Sequence, residues 1–366
     1  MAEYTTPGVY IAEPGSPPPP IAALDTGVAG FVGLAEPVPG AAPPGQVLTS
    51  AAEFGRYWSM APLSDGTPNV LWPAVQGFFA NGGGRLHIVS VASDGDPAAA
   101  VARLADTDAA LVAAPDVQAL RPAAADATMQ ALVALAAAPL SNRLALLDAP
   151  AGLSIAALRD WRRPFDTPAA ALYWPWLRTR DGSMLAPSSI VAGAIARNDR
   201  DRGVWKAPAN LPLAGVAATQ AITTAEQELL NPEGINVIRA FPGKGLLVWG
   251  SRTLSSDPEW KYVPVRRLAA TIAASITHSL GWVAFEADEP ALRARVRATV
   301  EGFLDRLWRD GGLAGSKPEQ AFFVRCDATT TTAADVAAGR LIVEIGHAPL
   351  RPAEFLITRL AVATAR

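Results

Sequence analysis

Ala110-Leu-Val-Ala-Ala114, Leu144-Ala-Leu-Leu147 and Ala170-Ala-Leu-Tyr-Trp174 are three short apolar runs, separated by the helix-forming stretches 126–138 and 154–162. None of the runs alternates polar with apolar residues, so each predicts a strand buried on both faces. Strands of this kind alternating with helices predict a parallel sheet covered on both sides. The fold class that follows is α/β, with a three-layer α/β unit over residues 98–200.

On the N-terminal side, residues 22–97 predict a first strand at Gly27-Val-Ala-Gly-Phe-Val-Gly33, a short helix over 51–58, a second helix over 71–80 and a strand at Leu86-His-Ile-Val-Ser-Val91. Asn81-Gly-Gly-Gly84 lies between the last two. It follows a helix C-terminus, where the dipole repels anions, so it reads as a helix cap and not as a phosphate cradle. Residues 1–21 form a separate arm. Pro14-Gly-Ser-Pro-Pro-Pro-Pro20 predicts a stiff polyproline II spacer, with Pro17, Pro18, Pro19 and Pro20 as its hinge. Beyond it, Tyr4-Thr-Thr-Pro-Gly-Val-Tyr-Ile-Ala-Glu13 contains β-favouring Val9, Tyr10 and Ile11, an unusual choice for a solvated tail. That composition predicts a strand that pairs with another chain.

On the C-terminal side, residues 201–348 predict a hairpin over 235–253, a helix over 265–280 and a longer helix over 291–308. The longer helix buries Leu292, Val296, Val300, Phe303, Leu304 and Leu307 and displays Arg293, Arg295, Arg297, Arg306 and Arg309 on its other face. Strands follow over 321–325 and 340–346. Residues 349–366 form a second arm, with hinges at Pro349 and Pro352 and the extended run Ala353-Glu-Phe-Leu-Ile-Thr-Arg-Leu360.

Half of the 366 residues are hydrophobic and 18% are charged, which excludes wholesale disorder. The single cysteine, Cys326, excludes a disulfide framework and multi-cysteine metal sites. The net charge of −3 makes no global lure for nucleic acid or an anionic membrane. The charge is uneven: residues 1–150 carry 5 basic and 13 acidic side chains, and residues 151–366 carry 26 and 21. Residues 1–10 carry Glu3 and no leader pattern, and the uncharged run 268–285 includes Thr271, Ser275, Thr277, His278 and Ser279. These features predict a soluble chain made in the cytosol, without membrane insertion.

Catalytic motifs are lacking. Neither Phe241-Pro-Gly-Lys-Gly245 nor Gly311-Gly-Leu-Ala-Gly-Ser-Lys317 has the spacing of a nucleoside-triphosphate loop, and there is no nucleophile elbow or zinc signature. The acidic pairs Asp94/Asp96 and Asp106/Asp108 fall at turns or helix starts, and Asp199/Asp201 are interleaved with arginines. His87, His278 and His347 share no helical or hairpin spacing. Asp116 and Asp148 could meet at the C-terminal edge of the predicted sheet, but no nucleophile or base accompanies them. No enzyme, cofactor or metal is expected; the rival reading is an enzyme on the α/β unit.

Thr6-Pro-Gly-Val-Tyr-Ile-Ala-Glu13, Gly27-Val-Ala-Gly-Phe-Val-Gly33, Leu48-Thr-Ser-Ala-Ala-Glu-Phe54 and Phe78-Phe-Ala-Asn-Gly-Gly83 are similar to the opening of contractile phage tail sheath proteins. Asp201-Arg-Gly-Val-Trp-Lys-Ala-Pro-Ala-Asn210, Leu230-Asn-Pro-Glu-Gly-Ile-Asn-Val-Ile-Arg239 and Gly245-Leu-Leu-Val-Trp-Gly-Ser-Arg-Thr-Leu254 are more specific. Tyr262-Val-Pro-Val-Arg-Arg267, Val283-Ala-Phe-Glu286 and Ile345-Gly-His-Ala-Pro-Leu-Arg-Pro-Ala-Glu-Phe355 complete the series in order, leaving about residues 95–195 without a matching motif.

The resemblance implies a compact sheath subunit of a phage tail-like contractile injection system. Such subunits stack as rings around an inner tube and shorten to drive it through an envelope. It implies an α/β unit inserted in an α+β sheath core, with terminal arms that add strands to neighbouring copies. The matching arm positions are Thr6, Val9, Tyr10, Ile11, Glu354, Phe355, Leu356, Ile357 and Leu360. Implied partners are copies of the chain, the inner tube protein, and baseplate and terminator proteins. Arg293, Arg295 and Arg297 are the residues expected to face an acidic tube. A sheath-like baseplate or terminator component shares the same motifs.

Overall fold

The computed structural model describes residues 19–41, 47–286 and 289–350, together with the backbone of 356–363. The described residues up to 254 build a nine-stranded sheet, the helices that cover it and the loops between them. Its long strands are β1 (Val28–Leu34), β2 (Arg85–Val91), β3 (Leu111–Ala113), β4 (Leu144–Leu147), β5 (Ala170–Trp174), β6 (Ile235–Phe241) and β7 (Gly245–Val248). They lie in the order β2-β1-β3-β4-β5-β6-β7, with the two-residue strands Val47–Leu48 and Leu211–Pro212 on the outer edges. All pairings from β2 to β6 are parallel, and the edges turn antiparallel. A smaller three-stranded sheet joins residues 177–179, 184–185 and 216–218.

The strands are apolar throughout because both faces are covered. Phe31 and Val32 are neighbours on β1, and successive side chains on a strand point to opposite faces. Phe31 packs with helices α1 (Leu71–Ala80) and α4 (Pro187–Arg202) through Leu71, Phe78, Ile190 and Val191. Val32 enters the opposite cluster, with Met129 and Leu132 of α2 (Pro122–Ala136) and Leu158 of α3 (Ile155–Arg162). Helices α1 and α4 approach closely at Gly193, where a Cβ would stand 2.2 Å from the Phe78 carbonyl oxygen. The expected cap after α1 is present: Gly82 has φ +102°, and the Arg200 guanidinium donates to its carbonyl at 2.9 Å.

The sheet is wider than the sequence suggests. Residues 98 and 200 do not bound it, because β1 and β2 pair alongside β3, and β6 and β7 extend it beyond β5. Buried strands of one kind carry no mark of their neighbours, so the order of pairing cannot be read from their composition. Residues 51–58 form a 3-10 turn (Ala51–Glu53) and a single α-turn (Phe54–Tyr57) in place of one helix.

A second unit follows. Helices α5 (Val263–Ser279) and α6 (Pro290–Arg309) pack over a sheet of β8 (Phe322–Arg325), β9 (Arg340–His347) and β10 (Leu356–Ala363). Its core joins Leu268, Ile272 and Ile276 with Val296, Val300 and Leu304 above Leu341, Val343 and Ile345. The C-terminal run expected at 353–360 is a strand over Leu356–Ala363, antiparallel to β9 of the same chain from Arg340↔Ala363 to His347↔Leu356. Within one chain this pairing satisfies the polar groups along an edge of β9 that would otherwise be open.

Candidate assembly surfaces

Several of the titratable groups singled out in the sequence make structural contacts. Asp116 follows β3 and accepts the Leu34 N–H at 2.7 Å, while Asp148 follows β4 and accepts the Ser188 N–H at 3.0 Å, at the start of α4. Burial pushes both carboxyls up to about 7. A carboxyl that takes a main-chain N–H at the end of its own strand fixes a loop or caps a helix. His87 Nε2 lies 2.6 Å from Asp108, which Arg85 also pairs at 2.9 Å. Asp96 caps a short helix by accepting the Ala98 N–H at 2.9 Å. His347, buried near the end of β9, is pushed down to about 4 by desolvation. Among the described residues no group of three or more His, Cys, Asp or Glu side chains could hold a metal ion.

Asp199 holds the two units together. Its side chain and that of Arg267 are each 3% exposed, and they pair through two bonds of 2.7 and 3.0 Å across α4 and α5. Thr26 completes the link: its hydroxyl donates to Asp199 at 2.8 Å, and its carbonyl accepts from Arg267 at 2.7 Å.

Thr26 belongs to the root of the N-terminal arm, which runs along the second unit before entering β1. The Leu24 N–H donates to Ser275 Oγ at 3.0 Å, the Ala22 N–H to Ser279 Oγ at 3.3 Å, and Arg306 donates to the Ile21 carbonyl at 3.1 Å. Ile21 is buried in the core of the second unit, while Pro19 and Pro20 are exposed. The root of the C-terminal arm is fixed on the same unit. The Ala348 N–H donates to the Ala321 carbonyl at 2.8 Å, the Ala314 N–H donates to the Ala348 carbonyl at 2.9 Å, and Pro349 bridges to Leu313. Thr6, Val9, Tyr10, Ile11, Pro17, Pro18, Pro352, Glu354 and Phe355 lie outside the described residues. The backbones of Leu356, Ile357 and Leu360 face His347, Gly346 and Val343 on β9.

The expected arginine row lies on α6, whose buried stripe is Leu292, Val296, Val300, Phe303 and Leu304. Arg295 and Arg297 are exposed and Arg293 is half-buried. Arg295 stacks 4.9 Å from the Trp282 ring and lies 3.7 Å from Glu286, and Arg297 lies 3.8 Å from Glu301.

Sequence reasoning missed a groove of about 380 Å³ between the two units. Trp205, Lys206, Asn231, Arg252, Tyr262 and Leu350 line it, drawn from five stretches far apart in the chain. Asn236 shapes its wall: fully buried, it accepts the Arg252 N–H at 2.7 Å and donates to the carbonyls of Arg252 and Leu172 at 2.8 and 3.1 Å. The available signal was that each of those five stretches belongs to the series resembling one family.

Two family models match, the phage tail sheath protein central domain over residues 91–254 and the phage tail sheath C-terminal domain over 255–363. The first includes the region that lacked recognisable motifs. The tail sheath protein of Burkholderia phage BcepMu is 30% identical over 58% of this chain and 48% of its own length. This chain spans about half the length of such phage relatives. Two solved assemblies match nearly end to end. The anti-feeding prophage helical sheath in its contracted state gives a TM-score of 0.79 at 33% identity, covering 98% of this chain and 99% of that one. The sheath complex of the extracellular contractile injection system PVC, also contracted, gives 0.78 at 30% identity and 98% of each chain.

Proposed function

The chain belongs to the phage tail sheath family, and on that premise we propose that it is a structural subunit of a contractile sheath. Copies polymerise as stacked rings around an inner tube, and shortening of the stack drives the tube through a target envelope. The observation that carries this reading is the match over nearly the whole chain to sheaths of two tail-like contractile systems. The particle is assembled in the cytosol, and baseplate and terminator proteins close its ends.

Neighbouring copies are joined by strand exchange. Thr6–Glu13 beyond the proline spacer adds as a strand to the second unit of an adjacent copy; the run 354–360 beyond Pro349 and Pro352 takes part only by exchanging its pairing with β9 of its own chain for the same pairing on a neighbour. Both arm roots leave from that unit, which supports the reading. Main-chain bonds between copies then survive reorientation of the bodies, provided the proline-rich linkers flex. Contraction follows if the short arrangement buries slightly more contact per subunit than the long one, the gains summing ring by ring. Arg293, Arg295 and Arg297 face the tube and meet acidic side chains there.

Negative-stain electron microscopy tests the proposal, on the protein alone and co-expressed with its tube protein. Striated hollow cylinders are expected, and they should be lost on removal of residues 1–20. Compact closed oligomers indifferent to that removal would sink the arm-exchange mechanism. Changing Arg293, Arg295 and Arg297 together to Glu should impair assembly on tubes; normal particles would remove them from the tube contact.

A further inference from the structure

The groove between the two units has a chemistry of its own. Its floor is apolar and aromatic, with Trp205, Tyr262 and Leu268, and among the described residues its charged lining is Lys206 and Arg252, whose guanidinium lies 6.0 Å from the Tyr262 ring and donates to the Asn231 carbonyl at 2.8 Å. Its polar atoms are rich in donors. Among the described residues, neither the Trp205 indole N–H nor the Lys206 ammonium has a hydrogen-bond partner, and the Asn231 side-chain amide is likewise unbonded. A site that offers aromatic faces and donors suits a ligand with an apolar ridge and acceptors alone.

A run of prolines is such a ligand. Proline has no N–H, so a polyproline II helix presents ring edges and unpaired carbonyls, and it is ordered before it binds. Docking of such helices on aromatic grooves is a recurring mode of recognition. This chain carries Pro14-Gly-Ser-Pro-Pro-Pro-Pro20, preceded by Glu13, and residues 1–20 hold two acids and no base. The charge complements Lys206 and Arg252. The prolines nearest the body, Pro19 and Pro20, are exposed and do not line the groove of their own chain.

We propose that the groove takes the proline-rich spacer of a neighbouring copy, held as a polyproline II helix against Trp205 and Tyr262. The proposal rests on the reading that copies pack side by side. It adds to strand exchange a second contact, which fixes where each N-terminal arm crosses its neighbour.

The test is fluorescence anisotropy with a labelled synthetic peptide, Glu13–Pro20, added to the full chain at a concentration where it is monomeric. Saturable binding is expected, weakened at least tenfold by Tyr262→Ala and by Lys206→Glu with the melting temperature of each variant checked. A peptide with the prolines replaced by serine should not bind. No binding, or equal binding of a Thr6–Glu13 peptide, overturns the proposal. Binding to a full-length variant with Pro17–Pro20 changed to serine, but not to the natural chain, means that each groove is filled by its own spacer and overturns the neighbour assignment. Because this assay reads free subunits, cylinders that form without peptide binding would discard the groove contact and keep the sheath reading. Peptide binding by a chain that forms no cylinders would discard the sheath reading, and with it the side-by-side neighbour.

Discussion

Removing the Asp199 carboxylate should loosen the attachment of the second unit to the sheet. Arg267 is 3% exposed and makes its two shortest charged contacts to Asp199. In Asp199→Ala its guanidinium keeps only the Thr26 carbonyl, and the Thr26 hydroxyl loses its acceptor. Stripping one partner from a buried pair costs about 3–5 kcal/mol, because the remaining charge stays out of water. For a chain of 366 residues unfolding as one body, the entropy of unfolding is roughly 0.8 kcal/mol per degree. The expected fall in melting temperature is therefore about 4–6 °C, read by calorimetry on the monomer. A double variant, Asp199→Ala with Arg267→Met, removes the stranded charge and should recover part of the loss, leaving about 1 kcal/mol for each of the two Thr26 groups left without a partner. A fall below about 1 °C for the single variant, or losses that simply add in the double, would refute the reasoning.

Other outcomes follow from the same contacts. Gly193→Ala pushes a methyl into the Phe78 backbone carbonyl, which cannot rotate away, so α1 and α4 must part at a cost of about 1–3 kcal/mol in denaturant unfolding. Asn236→Ala leaves buried main-chain groups of Arg252 and Leu172 unpaired and should cost about 1–3 kcal/mol, together with altered exchange of the Arg252 amide. The folded pKa of Asp148 lies at about 7, above its ordinary 3.8. Between those values the folded chain keeps a proton that the unfolded chain has released, and stability falls as pH rises. Asp148→Asn keeps the acceptor for Ser188, so its melting temperature should gain on the parent's from about pH 4 to 7 and then level off. His347 has the opposite sign. Its folded pKa is about 4 against an ordinary 6.5, so stability falls as pH drops through that window. His347→Leu should therefore gain on the parent on acidification, and a constant difference between the two would refute the burial argument.

How much of this was legible in the sequence depended on how local each signal is. The helix expected over 71–80 is found at those bounds, and those expected over 265–280 and 291–308 shift by two residues or fewer, because their periodicity is written within a few turns. The strands β3, β4 and β5 were equally readable as buried runs. Their partners were not. β1 sits between β2 and β3 through crossovers whose lengths say nothing of sheet order. The buried role of Asp199 was hidden for a similar reason: its arginine partner is 68 residues away, while Arg197, Arg200 and Arg202 beside it suggested a local charge network. The groove was present only as a set of motifs without a common location, and folding supplied the location.

The two arm roots carry a mechanical consequence. One is fastened to α5 and α6 through Ser275, Ser279 and Arg306, and the other is held between Ala321, just before β8, and the stretch at Leu313. Tension applied between the arms therefore meets the second unit first, before the N-terminal root reaches Thr26 and Asp199. The nine-stranded sheet lies beside that path, joined to it by the Asp199–Arg267 pair, by Val263 in the sheet's own core and by Val204 in the core of the second unit. If copies are linked through their arms, pull passes from one small helical block to the next, with the large sheets set to one side of the line.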